Sequence, residues 1–397
     1  MRQGLATFNT GSSSLKFSLY EISQEKLGQC LVNASLVNLG ASPRIQVSKL
    51  CAGDATRLEA AIIDLDHKPA VLVPALLDAL GSMAPDLEIV AAGHRIVHGG
   101  PHHSGPCLAD GPILAHLKTL SPFAPDHQPH NLAGVESLRH ARPGLVQSLS
   151  FDTSFHRTIP RISQFYAVPR SLIDSDILRF GFHGLSYDHI AHEIPNLLPN
   201  KSHARVIAAH LGSGASLCAI RDGQSRATTM GLTALSGIPM ATRSGDIDPG
   251  LILYLMKTRN LSHDEISDML YHGSGLLGVS GVSEDVRMLE RDNSLHSRQA
   301  IAHYVDRICR EIGAMLTATE GIDALVFTGG VGENSSTIRA QICARLGYLG
   351  LNLDPEANAA GAPVISTPDS PVSAVIVKAD EESVIARNTL QTWVVHA

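Results

Sequence analysis

The chain lacks the marks of several common protein classes. Its six cysteines (Cys30, Cys51, Cys107, Cys218, Cys309 and Cys343) are scattered without CxxC spacing, which argues against a disulfide or zinc framework and fits reduced thiols in a core. No apolar run approaches the ~18 residues of a membrane helix. The opening MRQGLATFN enters a strand pattern without a basic and then apolar leader, so a cytoplasmic protein with no membrane partner is expected. A basic excess is missing too: 31 Lys and Arg stand against 38 Asp and Glu, and a net charge of −7 offers no general attraction to nucleic acid. The 20 histidines cluster in HGGPHH and DHQPH, but no HExxH or similar ligand spacing occurs, so no dedicated transition-metal site is expected.

What is present is a globular composition, 44% hydrophobic and 17% charged, in 397 residues. That exceeds the roughly 250 to 300 residues at which a single core stops growing, so two domains are expected. The stretch LATFNTGSSSLKFSLYEI (5–22) has serines and a lysine beside a glycine turn, yet it is not the P-loop GxxxxGK[ST]. After the turn Leu15, Phe17 and Leu19 alternate with Lys16, Ser18 and Tyr20, so a second strand follows and residues 9–13 form a hairpin turn. Its tip offers donors and Lys16 a cation, which suits an anion; an ordinary serine-rich hairpin is the plain alternative. VIAAHLGSGASLCAIRDG (206–223) repeats the pattern, Gly212 and Ser213 matching Gly11 and Ser12, and Ser216-Leu217 matching Ser14-Leu15. A repeat so far apart points to duplicated domains, each opening with a hairpin.

Between the repeats, EAAIIDLDHKPAVLVPALLDALGSM has helical periodicity with Pro69 and Gly81 as punctuation, and LEIVAAGHRIVHGG is a strand running into a loop. Alternating strands and helices give an α/β fold. SLSFDTSFH is a strand with Asp152 at its carboxyl end, where open α/β sheets bind ligands. ALVFTGGVGENSSTIRAQICARL runs strand, glycine-rich loop, helix, and Gly329, Gly330 and Gly332 let a ligand approach the backbone; Glu333 and Asn334 spoil it as a Rossmann fingerprint. DEESVIARNTLQTW starts a helix with three acids, whose plain reading is capping by Asp380. His183 precedes Ser186, the expected N-cap of the next helix.

Taken in order, FNTGSSSLKFSLY, GHRIVHGG, FDTSFH, RFGFHGLSYDHIAHEI, HLGSGAS, ATRSGDIDPG, FTGGVGEN and DEESVIA resemble the signature blocks of the acetate and propionate kinases, over nearly the whole chain. The resemblance implies two duplicated ribonuclease H-like domains of the actin, sugar kinase and heat-shock chaperone ATPase superfamily, with a nucleotide cleft between them. The expected lobes are residues 1–150 with 382–397, and 151–381. It implies an ATP-dependent kinase of acetate or propionate that forms an acyl phosphate and ADP reversibly, with Mg2+ or alternatively Mn2+, as a homodimer.

By the same resemblance Arg95, Asp152, His183 and Arg243 are the catalytic set. The two arginines, expected in glycine-flanked loops, would clamp the carboxylate and the transferring phosphoryl group, and replacing either is expected to spare folding. His183 would donate to a phosphoryl oxygen, and Asp152 would place Mg2+ or Arg243 rather than act as a base. Arg95, Val97, Asp126, His127, Phe182 and Ala234 are expected around the small acid. Ser12 and Lys16 belong to the first phosphate hairpin; His210, Gly212, Ser213 and Gly214 belong to the second. Adenosine is expected against Gly330, Val331, Gly332, Glu333 and Asn334, with Asp285, Val286 and Arg287 from SEDVR. Asn9, Asp152 and Glu381 are the oxygen ligands implied for the metal, with Glu382 as the competing carboxylate.

Four positions depart from the family pattern: Ser213 replaces Asn, Ala241 replaces Gly, Asp126 replaces Leu and Ala234 replaces Pro. The last two leave a larger or hydroxylated acid as an alternative substrate. An actin-like or chaperone-like ATPase is the rival from another class, but 397 residues leave no room for a peptide-binding domain.

Overall fold

The computed structural model describes residues 2–11, 14–39, 43–62, 65–199, 204–292 and 294–396. Ser12 and Ser13, which the sequence assigns to the first phosphate hairpin, lie outside the described residues. The chain divides into two units, Met1–Phe155 with Asp380–Ala397, and His156–Ala379.

In the first unit the alternating segments at the start pair as expected. β1 (Arg2–Thr10), β2 (Ser14–Ser23), β3 (Lys26–Val37) and β4 (Arg44–Leu50) form an antiparallel meander. The Gly11 amide donates to the Ser14 carbonyl across the first turn at 2.7 Å. β5 (Leu87–Ile96) and β7 (Val146–Phe151) then add in parallel beside β1, and the short β6 (Cys107–Leu108) closes the edge, giving the order β4-β3-β2-β1-β5-β7-β6.

Both faces of this sheet are covered, which is why β2 is apolar on both sides. Phe8, Phe17 and Leu19 meet Leu72, Leu76 and Leu80 of the helix Pro69–Met83, and Leu138 of Gln128–Ala141. Leu5, Tyr20, Ile22 and Ala91 meet Ala386, Leu390 and Trp393 of the helix Glu381–His396. Pro69 begins its helix, as proline does at a first turn, but Gly81 lies inside the helix and does not end it.

The second unit repeats the plan. β8 (Arg205–Leu211), β9 (Ala215–Arg221) and β10 (Gln224–Thr228) form an antiparallel meander. β11 (Ala324–Thr328) and β12 (Ser373–Ile376) extend the sheet in parallel from β8, in the order β10-β9-β8-β11-β12. Strand for strand this is the β3-β2-β1-β5-β7 core of the first unit, so the echo between 5–22 and 206–223 marks a repeated topology. The Gly212 amide donates to the Gly214 carbonyl at 3.1 Å, closing the second hairpin much as Gly11 closes the first. Asp222 and Gly223, both at positive φ, make the tight β9–β10 turn, an Asp-Gly pair suited to a primed turn.

Candidate active site

In the first unit the candidate residues gather at the carboxyl ends of β1, β5 and β7. Arg95 is the penultimate residue of β5, so it stands on a strand rather than in the expected loop. The glycine before it serves the sheet: a Cβ on Gly93 would lie 1.9 Å from Thr389 Oγ1, so only glycine lets the last helix lie down there. Arg95 grips Asp152, the residue after β7, with Nη2 donating to Oδ2 at 2.6 Å and Nε to Oδ1 at 3.0 Å. Asp152 is 1% exposed and the Arg95 side chain 15%. Burial pushes the Asp152 carboxyl up against the pull of Arg95; burial also disfavours the guanidinium charge, but Asp152 outweighs it and holds Arg95 protonated.

Asn9, near the end of β1, joins this pair to the acids of the last helix. Its Oδ1 accepts from Arg95 Nη1 at 3.3 Å, and its Nδ2 donates to Glu381 at 2.8 Å and Glu382 at 3.0 Å. Lys16, opposite Asn9 on β2, stands 3.9 Å from Glu382. Burial pushes the Glu382 carboxyl up, Lys16 opposes this, and Glu381 adds to it. Asp380 caps the helix by accepting from the Ser383 amide at 3.0 Å.

No group of three His, Cys, Asp or Glu suited to holding a metal occurs among the described residues. The donor set nevertheless fits Mg2+. It is all oxygen, and three carboxylates, Asp152, Glu381 and Glu382, stand against two cations, Arg95 and Lys16. Asn131, which the sequence did not single out, fixes this end of the sheet: its Oδ1 accepts from the Val97 amide at 3.1 Å and its Nδ2 donates to the Thr10 carbonyl at 2.7 Å. Val97 is buried, His127 stands at the N-cap of Gln128–Ala141, and Asp126 beside it is exposed.

In the second unit the candidates gather around the β8–β9 turn. His183, not Ser186, is the N-cap residue of the helix Gly184–Leu197, and it holds left-handed backbone at φ 58°. Ser186 lies within the first turn, its hydroxyl 2.9 Å from His210 Nδ1. The His183 and His210 rings stack, with centroids 4.2 Å apart. His183 Nδ1 is 2.9 Å from Ser216 Oγ, which is 2.6 Å from the Tyr187 hydroxyl.

A Cβ on Gly214 would lie 3.3 Å from His183 Nε2 and 3.5 Å from Arg243 Nη1, so both nitrogens converge on the space glycine leaves open. Arg243 Nη1 donates to the Ala234 carbonyl at 3.2 Å, and Ser213, exposed at the turn, accepts from the Ala241 amide at 3.2 Å. Ala241 does not hold positive φ, so the lost glycine leaves no strain. Phe182 is buried, its carbonyl 2.9 Å from His156 Nε2.

The glycine-rich segment after β11 is a helical turn, Gly329–Asn334, rather than an open loop. Glu333 stabilises it by accepting from the Gly329 and Ala379 amides, both at 3.0 Å, while buried Arg339 donates to the Gly332 and Glu333 carbonyls. Gly330 and Asn334 are exposed, Val331 is half-buried, and Gly332 is buried. Asp285 and Arg287 pair at 2.6 Å on either side of buried Val286.

The sequence pattern of the acetokinase family matches residues 5–387. An acetate kinase of Methylocella silvestris is 43% identical, with 98% of each chain covered. Among solved structures, an acetate kinase of Porphyromonas gingivalis superposes with a TM-score of 0.81 at 32% identity, covering 98% of this chain and 99% of that one. A propionate kinase of Francisella tularensis superposes with a TM-score of 0.84 at 31% identity and the same coverage. Sheet plan, strand-end chemistry and full-length similarity agree: the chain belongs to the acetokinase family, phosphotransferases whose acceptor is a carboxyl group.

Proposed function

We propose that the protein is an ATP-dependent kinase of acetate or propionate, working with Mg2+. A carboxylate oxygen attacks the γ-phosphorus, the bond to the bridging oxygen breaks, and ADP leaves with that electron pair. The acid is already an anion at neutral pH, so no base is needed; the task is to relieve repulsion between two anions. The observation that carries this reading is the convergence of His183 Nε2 and Arg243 Nη1 on the open space over Gly214, two donors suited to phosphoryl oxygens. Arg95 takes the acid, oriented by the Asp152 fork. Asn9, Asp152, Glu381 and Glu382 hold the metal, which when bound neutralises phosphate oxygens. Lys16, His210, Gly212, Ser213 and the first hairpin face the phosphates; Gly330 to Asn334 and Asp285 to Arg287 take adenosine. Val97, Phe182 and Ala234 line the acid's apolar side.

No helix among the described residues is long and apolar enough to cross a membrane, and dependence on ATP supports work in the cytoplasm. The helix Pro249–Thr258 has no buried residue and exposes Leu253, Tyr254 and Met256, which supports a homodimer. A hydroxylamine trap with ATP and a panel of acetate, propionate, butyrate and hydroxy acids tests the activity. Acyl hydroxamate should accumulate with acetate and propionate; its absence with every acid would overturn the proposal.

A further inference from the structure

We propose that Tyr187 and Ser216 form a hydrogen-bond relay that fixes His183 as the neutral tautomer with its proton on Nε2. The consequence for catalysis rests on the role given to His183 above, but the relay itself follows from counting protons. Tyr187 and Ser216 are both fully buried. Two contacts join three groups: Tyr187 hydroxyl to Ser216 Oγ at 2.6 Å, and Ser216 Oγ to His183 Nδ1 at 2.9 Å. The His210 backbone amide also faces the Tyr187 hydroxyl, but as a donor, so among the described residues Ser216 Oγ is the acceptor left for the phenolic proton. If Tyr187 did not donate there, its proton would be a buried donor without an acceptor, which folded proteins avoid. Tyr187 therefore donates to Ser216. Among the described residues the Ser216 proton then has one acceptor left, His183 Nδ1, and a ring nitrogen that accepts carries no proton. Burial also pushes the Tyr187 phenol well above its ordinary value, so its proton stays in place.

The remaining ring proton sits on Nε2, the atom that faces the open space over Gly214 beside Arg243 Nη1. The opposite tautomer would present a lone pair to an anionic oxygen there. Left-handed backbone at His183 and the stacked His210 ring hold the imidazole plane, so position and tautomer are both set before any substrate arrives. Titratable or charged groups facing the ring include His210 from β8, Tyr187 from its own helix and Arg243 across the Gly214 turn. Ser216 and Tyr187 are thus positioning residues.

The test is 15N side-chain NMR of the full chain, with His183 assigned by the signal lost in His183→Gln, on wild type, Tyr187→Phe and Ser216→Ala. The wild-type ring should show the Nε2–H tautomer alone. Each variant should show a mixture with Nδ1–H. In Tyr187→Phe the ring should also titrate about one pH unit higher, because Ser216 becomes free to accept from a protonated Nδ1. Turnover should fall about threefold to tenfold with KM for ATP moved less than about twofold. Tyr187→Phe removes one oxygen from a buried ring, so it carries the test if Ser216→Ala folds poorly. A wild-type Nδ1–H signal, or an unchanged tautomer in Tyr187→Phe, would overturn the relay. A shifted tautomer with unchanged turnover would support the relay and instead remove His183 from the transfer.

Discussion

At the end of β1 Asn9 is held in a network of three carboxylates, an arginine and a lysine, whereas at the end of β8 His210 stacks on His183 and Arg243 stands across a glycine turn. One sheet plan, used twice, delivers side chains to the same place in each unit, and their charge then sets what each place can hold. The first end has more carboxylate than cation and suits a metal. The second offers ring and guanidinium donors and suits phosphoryl oxygens. The arginines show the difference most clearly: Arg95 is locked to a buried acid, while Arg243 donates to a neutral carbonyl.

The two arginines should therefore separate when each is replaced. Arg95→Ala and Arg243→Ala are both expected to lower kcat/KM at least about a hundredfold. Only Arg95→Ala should also lose roughly 3 kcal/mol or more of stability, because it strands a buried Asp152. That corrects the expectation that both substitutions spare folding. Equal thermal melting of the two variants would erase the distinction between the ends.

Acid should reveal a feature the units share. Burial holds His94 in the first and His156 in the second at a pKa of about 4. Both are neutral when folded but protonate near pH 6.5 when unfolded, so unfolding takes up protons and stability drops as pH falls from 6.5 toward 4. Each should cost about 2 kcal/mol at pH 5 relative to pH 7.5. Chemical denaturation of His94→Gln and His156→Gln at both pH values checks this, since each variant should lose its share of the pH dependence.

Glu381→Gln should shift the Mg2+ activation curve severalfold upward with melting nearly unchanged, because Asp380 keeps the helix cap. A fall in melting with an unmoved Mg2+ curve would return the acid pair to a structural role. The smallest effect is expected at Asp126, which is exposed: Asp126→Leu should change kcat/KM for acetate by less than about tenfold, or 1.4 kcal/mol. A large gain for acetate, with a matching loss for a hydroxy acid, would instead place Asp126 against the substrate.

Local periodicity made the two hairpins legible, and strand ends made Asp152 legible, because both signals lie within a few residues. Long-range partners were not legible. Gly93 suggests a loop before Arg95 until Thr389 is seen lying against it. Ser186 suggests a cap until its hydroxyl is seen beside His210. Glu333 sits in a glycine-rich segment that looks built for a ligand, yet its carboxylate is taken by the amides of Gly329 and Ala379. The Tyr187–Ser216 contact had no signal at all, since nothing in either stretch names the other.

The helix Glu381–His396 belongs to the first unit although it follows the whole of the second in sequence. During synthesis, residues 156–379 emerge and can form their sheet while β1, β5 and β7 still have one apolar face bare. Two of the three carboxylates around Asn9 arrive only with that final segment. The carboxylate network at the end of β1 is therefore complete only once the last helix has docked, and the sheet begun first is the one finished last. Leu5, Tyr20 and Ile22 stay uncovered until then, so the sixteen residues of the last helix to be made are the ones that close the first core.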